Sequence, residues 1–332
     1  MDQSKAAAPV NPASWPASPE AGAAAEEEVY PAPEGYAEGS LVKSRAQFDE
    51  MYKQSIEDPE TFWGDIGREF HWETPFTEVG PKYNFDTSKG PVSIEWYIGG
   101  KTNLSYNCLD RHVKAGQGDK CCFIWEGNSP EEIERYSYSE VLAQVCKFAN
   151  VLKSLGVAKG DNVAIYLPMV VQLPFVMLAC ARIGAVHSVV FGGFSADALK
   201  DRMVAGRPKV IVTADGVMRG TKPIKLKEIA DAGHVLSKEA GADCPHQIVV
   251  QRLGAETLPI EWDEGRDQWW HEVMEAASDE CECEWVDAED PLFMLYTSGS
   301  TGKPKGVLHT TGGYMIGAAT TTKYAFDVKV TG

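Results

Sequence analysis

The sequence lacks long hydrophobic runs and an excess of basic residues. No stretch approaches 18 apolar residues uninterrupted by charge, so no membrane-spanning helix and no membrane partner are predicted. Lys and Arg number 31 against 48 Asp and Glu, a net charge of −17. A nucleic-acid binder needs a basic face, so this balance argues against that class of partner. Any anionic ligand must be held by local cations and backbone N–H groups against the overall field.

The sequence also lacks paired metal-binding cysteines and a targeting segment. None of its eight cysteines forms a C-x-x-C pair, and Cys281 and Cys283 have no second ligand pair nearby. Reduced thiols in a cytosolic-type compartment are therefore favoured over a thiol–metal site, and no metal ligand is predicted. The first 43 residues are rich in Ala and Pro and carry seven acids and two bases. This composition fits neither a signal nor a transit peptide, so residues 1–43 are predicted to be a disordered leader of a cytoplasmic protein.

What is present is a regular alternation of helical and strand patterns. The 332 residues suffice for two domains or one large α/β domain, and 44% of them are apolar. Strands are predicted at "DNVAIYLP", "HSVVFGG", "PKVIVTAD" and "HQIVVQRLG". One helix, ended by Gly156, is predicted before the first of these strands, and others are predicted between them, one of them capped by Ser195. Continuous Val/Ile strands indicate a doubly wound, mostly parallel α/β sheet with helices on both faces.

The region before this alternation differs in composition and periodicity. Residues 44–110 begin with helical turns broken at Pro59 and continue into a segment rich in Gly, Pro and aromatics. That segment has little periodicity, so we expect it to wrap around the α/β domain rather than form a regular domain. The predicted organisation is a leader at residues 1–43, a helical and wrapping region at residues 44–110 and the α/β domain at residues 111–332.

One loop has the composition of a phosphate-binding site. It lies within "LFMLYTSGSTGKPKGVLHTTGG", residues 292–313. The Walker A pattern fails, because Thr297 stands where glycine is required and Pro304 where the Mg²⁺-binding hydroxyl should be. Glycines that allow close backbone approach, hydroxyl donors and two lysines still suit a polyphosphate. A flexible Gly/Ser linker is the alternative, disfavoured by the apolar runs on both sides. The candidate residues are Thr297, Ser298, Gly299, Ser300, Thr301, Gly302, Lys303, Lys305 and Gly306.

Two further loops follow predicted strands. Ligand sites in such sheets lie beyond the carboxyl ends of the strands. The first loop carries Phe191, Gly192 and Gly193, and the second carries Arg219, Gly220, Thr221 and Lys222. Arg219 and Lys222 could bracket a phosphate. From spacing alone, a solvated basic loop before an amphipathic helix is the better interpretation of the second loop.

The phosphate loop and its flanks resemble the signature of the adenylate-forming enzymes, which include acyl-CoA synthetases, luciferases and peptide-synthetase adenylation domains. The stretches "NLSYNCLDRHV", "VAIYLPMVVQLPFVMLACARIGAVHSVVFGGFSADAL" and "VMRGTKPIKLKEIAD" are similar to the acetyl-CoA synthetase (acetate–CoA ligase) branch. The resemblance covers about residues 45–332. It implies the reaction of acetate with Mg²⁺-ATP to give acetyl-AMP and pyrophosphate, followed by displacement of AMP by CoA.

The resemblance also implies roles for the candidate loops. Residues 297–306 would close over the β- and γ-phosphates of ATP, with Lys305 as the cationic catalytic contact. Arg219 to Lys222 would bind the nucleotide end of CoA, with Phe191 to Gly193 beside them, which reverses the preference for a solvated loop. Many relatives have Arg-Gly-Gly-Arg where this chain has Arg-Gly-Thr-Lys. Lysine keeps the charge but loses the planar fork of arginine, so weaker phosphate geometry is expected.

In the family, the acetate pocket, the Mg²⁺ carboxylate, the hinge and the C-terminal lid with its catalytic lysine follow the last residues of this sequence. The resemblance therefore implies a partial adenylation domain without the lid, and a chain that is inactive by itself. Propionate–CoA ligase is the neighbouring alternative, because the residues that size the acyl pocket would lie in the missing part. A natural truncation that binds CoA or a partner without catalysis is the other alternative.

Overall fold

The computed structural model describes residue 35, residues 37–297 and residues 304–329. Most of the predicted leader lies outside these residues, so its disorder stays a prediction. The helices are α1 Arg45–Glu57, α2 Pro59–Arg68, α3 Tyr138–Ser154, α4 Gln172–Arg182, α5 Ala196–Gly206, α6 Leu226–Glu239, α7 Trp270–Glu275 and α8 Thr311–Thr320. The strands are β1 Lys82–Asn84, β2 Ser93–Glu95, β3 Lys101–Thr102, β4 Cys121–Glu126, β5 Ile133–Ser137, β6 Asn162–Tyr166, β7 Val186–Val189, β8 Val210–Ala214, β9 Val217–Arg219, β10 Lys222–Ile224, β11 His246–Val250, β12 Asp267–Trp269, β13 Val286–Asp287, β14 Pro291–Thr297 and β15 Lys305–Thr310.

Seven strands form one sheet in the order β12-β11-β8-β6-β7-β14-β15. Every neighbouring pair is parallel except β14 and β15, which are antiparallel. The chain steps from β6 to β7 in one direction and then from β7 back to β8 in the other. Since parallel crossovers are right-handed, α4 and α5 then lie on opposite faces of the sheet. Helix α3 packs with α4 and α7, and α5 packs with α6. The predicted doubly wound, mostly parallel sheet is confirmed.

Local sequence signals fix the helix ends. The Ser137 hydroxyl accepts a hydrogen bond from the Glu140 N–H while the Glu140 carboxylate accepts one from the Ser137 N–H, a capping box at the start of α3. The predicted cap Ser195 accepts a bond from the Ala198 N–H. Gly156, at φ +77°, ends α3 as expected. One segment differs from expectation: Arg219 to Lys222, predicted as a loop, belong to the antiparallel hairpin β9–β10 of residues 217–224.

The region before the sheet packs against it through a second core. Helices α1 and α2 break at Asp58, whose carboxylate caps α2 by accepting a bond from the Thr61 N–H, and Pro59 opens α2. The buried residues of the second core come from both regions: Ile66, Val79, Tyr97, Ala288, Met315 and Ile316. The Asn103 amide donates to the carbonyls of Ala181 and Glu284 at 2.8 and 2.9 Å, which ties the wrapping segment to the end of α4. No described helix is long and apolar enough to cross a bilayer.

Candidate nucleotide and cofactor site

A cavity of about 380 Å³ lies beyond the carboxyl ends of β6, β7, β8 and β11. Its walls come from residues 125–128, 167–170, 189–193 and 217–219, together with Arg252. Phe191 to Gly193 and Arg219, from two of the loops that the sequence selected, therefore line this cavity. A more open depression of about 830 Å³ lies against β15 and α8, but its charged lining consists of Glu289 alone among the described residues. Of these two cavities, the first is the better suited to an anionic ligand, because Arg219 lines it.

The loop after β7 is held in place by buried contacts. The phenol of Tyr166, at the end of β6, donates to the Phe194 carbonyl at 2.7 Å. Gly192 packs against the chain after β6, since a Cβ there would lie 3.2 Å from the Leu167 carbonyl oxygen. A Cβ at Gly193 would lie 3.4 Å from Nη2 of Arg219. The structure thus brings the loop of residues 191–193 together with Arg219, while Phe191 stays 62% exposed.

The cationic hairpin consists of residues 219–222, in which Arg219 of β9 stands directly opposite Lys222 of β10. Gly220 has φ +60°, and Thr221 is not in the positive-φ region. This is the pattern of a two-residue turn with glycine at its first central position, so only Gly220 needs to be glycine. The threonine that departs from the usual Arg-Gly-Gly-Arg therefore fits the backbone.

The two cations of the hairpin face each other without a carboxylate between them. Directly opposed residues of an antiparallel pair project from the same face, and like charges there destabilise each other. Neither Arg219 nor Lys222 forms an ion pair within the part of the chain that the structure describes. An anion bound between them would relieve this repulsion, which is the electrostatic arrangement expected of a phosphate site.

The predicted phosphate loop is described only at its two ends. Ser298, Gly299, Ser300, Thr301, Gly302 and Lys303 lie outside the described residues, and their roles stay predictions. Thr297 and Lys305 are exposed and stand opposite each other at the ends of β14 and β15. Since β14 runs parallel to β7, Thr297 leaves the sheet at the same edge as Phe191. A Cβ at Gly306 would lie 2.6 Å from Sδ of Met294, so the small size of this glycine also serves strand packing.

One arginine that the sequence did not single out connects the loop after β7 with β14. The Arg202 guanidinium, on α5, lies 4.6 Å from the ring centroid of Phe194 and 5.5 Å from that of Tyr296. The Tyr296 hydroxyl in turn donates to the Arg202 carbonyl at 3.4 Å. The loop that borders the cavity and the strand that enters the phosphate loop therefore share one packing partner.

Sequence reasoning also missed four residues around the cavity: Trp125, Glu132, Asp215 and Arg252. Asp215 directly follows β8, and Arg252 lies two residues beyond the end of β11. Both stand at carboxyl ends of strands, the position that selected the other loops, so the same rule could have found them. Trp125 and Glu132 belong to the β4–β5 hairpin, and their place at the cavity follows only from tertiary packing.

Two family models match this chain. The model described as AMP-binding enzyme matches residues 109–331, and the one described as acetyl-coenzyme A synthetase N-terminus matches residues 48–108. A chloroplastic/glyoxysomal acetyl-coenzyme A synthetase of Arabidopsis thaliana is 54% identical over 304 residues, which are 91% of this chain and 41% of that protein. The acetyl-coenzyme A synthetase of Drosophila melanogaster is 49% identical over 315 residues, 92% of this chain and 47% of that protein.

A solved structure is similar over most of the chain. The acetoacetyl-CoA synthetase from Streptomyces lividans superposes with a TM-score of 0.72 at 25% identity, over 83% of this chain and 40% of that one. The chain thus spans less than half the length of each of these similar proteins.

Proposed function

The chain belongs to the AMP-binding enzyme family, and from this we propose that the protein carrying it is an acetate–CoA ligase. The proposed reaction joins acetate to the α-phosphate of ATP with release of pyrophosphate, and the CoA thiol then displaces AMP to give acetyl-CoA. Both steps move charge at phosphate or carboxylate oxygens, so positioning and neutralisation of charge are the main contributions expected of the protein. The names of the similar synthetases from Arabidopsis and Drosophila support this substrate class.

The observation that carries the proposal is the unpaired Arg219–Lys222 hairpin beside the cavity. In a protein of net charge −17, two opposed cations with no described carboxylate partner form a local positive site. The phosphates of CoA are anions suited to such a pair, and a planar base can rest on the exposed ring of Phe191. We therefore place the nucleotide end of CoA between the cationic hairpin and the loop of residues 191–193.

The second part of the proposal concerns ATP. We place its β- and γ-phosphates at residues 297–306, with Lys305 as the cationic contact, because the strands at both ends of this loop open at the edge of the sheet shared with the CoA cavity. Mg²⁺ is proposed only as the counter-ion of ATP, since the described residues offer no cluster of three metal-ligating side chains. We also propose a cytoplasmic location, which suits the eight free cysteines.

Replacement of Arg219 or Lys222 by alanine tests the CoA site. Each substitution is expected to raise the Kd for CoA about 10-fold or more, because a charge-assisted hydrogen bond contributes roughly 1.5–3 kcal/mol. Isothermal titration of the 332-residue chain with CoA measures this change. The matched control is Lys225→Ala, which removes the same charge from the same segment, where Lys225 already pairs with Glu228 at 3.0 Å.

The control should change the Kd less than twofold. If Lys225→Ala weakened CoA binding equally, CoA would be responding only to the overall electrostatic field of the chain, and the placement of the site would be wrong. An unmutated chain that shows no CoA binding would overturn the assignment of this cavity to CoA.

A further inference from the structure

Arg252 forms an ion pair within this chain even though it lines the cavity. Its Nη1 and Nη2 donate to the two carboxylate oxygens of Glu132 at 2.7 and 2.8 Å, a bidentate ion pair. The guanidinium carbon also lies 5.2 Å from the ring centroid of Trp125, on the strand that leads to Glu132. The side chain of Arg252 is only 18% exposed. Its charge is therefore used to hold the β4–β5 connection rather than left free for a ligand.

Asp215 fixes the backbone that carries Arg252. Its carboxylate is almost fully buried and accepts hydrogen bonds from four backbone N–H groups, those of Gly216 and of residues 252–254, rather than from a cation. Oδ1 accepts from Gly216 at 2.7 Å and from Arg252 at 2.8 Å, and Oδ2 accepts from Gly254 at 2.8 Å. One side chain thus ties the segment after β8, which enters the cationic hairpin, to the segment after β11.

The β4–β5 connection reaches the cationic hairpin from the other side. The Asn128 amide donates to the carbonyl of Met218, the residue before Arg219, at 3.4 Å. The Asn128 carbonyl oxygen lies 3.5 Å from Nη2 of Arg252, and the Asn128 N–H donates to the Glu132 carboxylate at 3.1 Å. The indole of Trp125 donates to the Met169 carbonyl at 2.9 Å on the opposite wall. These contacts close a ring of segments around the mouth of the cavity.

We propose that the Glu132–Arg252 ion pair is a positioning element for CoA binding, which holds residues 127–132 against the cavity mouth and thereby fixes the cationic hairpin at residues 219–222. The proposal rests on the proposed CoA site. Its action is mechanical: Glu132 and Arg252 do not touch the ligand, and the path runs through Asn128 to the backbone at Met218. Asp215 supports the same element by fixing the backbone of Arg252.

Breaking the Glu132–Arg252 pair should change the Kd for CoA in the direction opposite to the one that Coulomb attraction alone predicts. Glu132→Gln removes a negative charge near the cavity, which by Coulomb attraction alone should strengthen the binding of an anion. Loss of the positioning element should instead raise the Kd for CoA about 5- to 10-fold, the lower end of the usual range of a coupling between sites. Glu131→Gln is the matched control, since it removes the same charge from the neighbouring residue, whose carboxylate is bonded to Ser129 rather than to Arg252. The control should leave the Kd unchanged or slightly lower.

A charge exchange gives the second arm of the test. Arg252→Glu should weaken CoA binding, and adding Glu132→Arg should restore the Kd to within about twofold of the unmutated chain, because the pair is re-formed with reversed ends. A Kd that falls in Glu132→Gln would show instead that Arg252 is a phosphate ligand masked by Glu132, and the proposal would be overturned.

Hydrogen exchange tests the positioning element without any ligand. In the free chain, Glu132→Gln should raise the amide exchange rates of the β9–β10 hairpin at least severalfold, while the amides of β6 in the sheet core stay protected. Unchanged exchange in the hairpin would overturn the proposal even if CoA binds. If exchange rises but the unmutated chain binds no CoA, the ion pair positions the hairpin and the CoA assignment is the part that fails.

Discussion

Replacing Arg182 by methionine is expected to lower the free energy of unfolding by about 3–5 kcal/mol, because it leaves the buried Asp110 carboxylate without its cation. The pair is bidentate, with Nη1 and Nη2 of Arg182 at 2.8 and 3.0 Å from the two carboxylate oxygens. The side chains are only 6% and 10% exposed. The Arg182 Nε also donates to the Cys281 carbonyl at 2.6 Å, so the same residue joins the end of α4 to two other segments. Urea denaturation of the 332-residue chain measures the loss.

Two further variants separate the charge effect from loss of packing. Arg182→Met combined with Asp110→Leu removes both charges and should regain most of the lost stability, since a buried ion pair is often replaceable by apolar groups. Arg45→Met is the exposed counterpart: Arg45 pairs with Asp49 at 2.8 Å, but the side chains are 83% and 55% exposed. That variant should leave stability unchanged within error. A loss of the same size in Arg45→Met would mean that burial does not decide the effect.

Acidification from pH 7 to pH 5 is expected to destabilise the chain through two buried histidines. Burial lowers the pKa of His187 to about 4, and burial followed by the nearby Arg266 charge lowers the pKa of His234 to about 4. The unfolded chain takes up these protons near pH 6.5, whereas the folded chain does so only near pH 4. The stability that the neutral histidines contribute is therefore fully present above pH 6.5 and is lost as the pH falls toward 4. Protonation of each histidine should lower the free energy of unfolding by about 2 kcal/mol between pH 7 and pH 5.

The slope of unfolding free energy against pH, measured by urea denaturation at several pH values above 5, checks this expectation. The His187 and Phe293 ring centroids lie 5.5 Å apart, and His187→Phe keeps a ring in this place. This variant should reduce the slope by the amount that corresponds to the uptake of about one proton on unfolding. His234→Phe should do the same, and the double variant should reduce it by about two. The readout is the slope, so an overall change in stability does not affect it. A slope that neither variant alters would assign the acid sensitivity to other groups.

The regular part of the fold was predictable because each element carries its own local signal. The apolar stripe of α3, its end at Gly156 and the Ser195 cap of α5 were all present in the sequence and confirmed in the structure. The hairpin at residues 217–224 was missed because its strands are three residues long and one of them contains a proline, so they show no alternation. Its formation depends on the turn at Gly220 and on packing against the cavity rather than on strand propensity.

The sequence by itself determined the fold class, the strand-to-helix alternation and the loops selected as candidate site residues, because apolar period, capping residues and glycine-rich loops act over a few neighbouring positions. Only the tertiary structure decided that Arg219 faces Lys222, that Gly193 lies against Arg219 and that Arg252 is bound to Glu132. Glu132 and Arg252 are separated by 120 residues, and no local pattern encodes which distant charge an arginine will meet. That choice follows from the order of strands in the sheet, which brings the carboxyl ends of separate βα units to one edge.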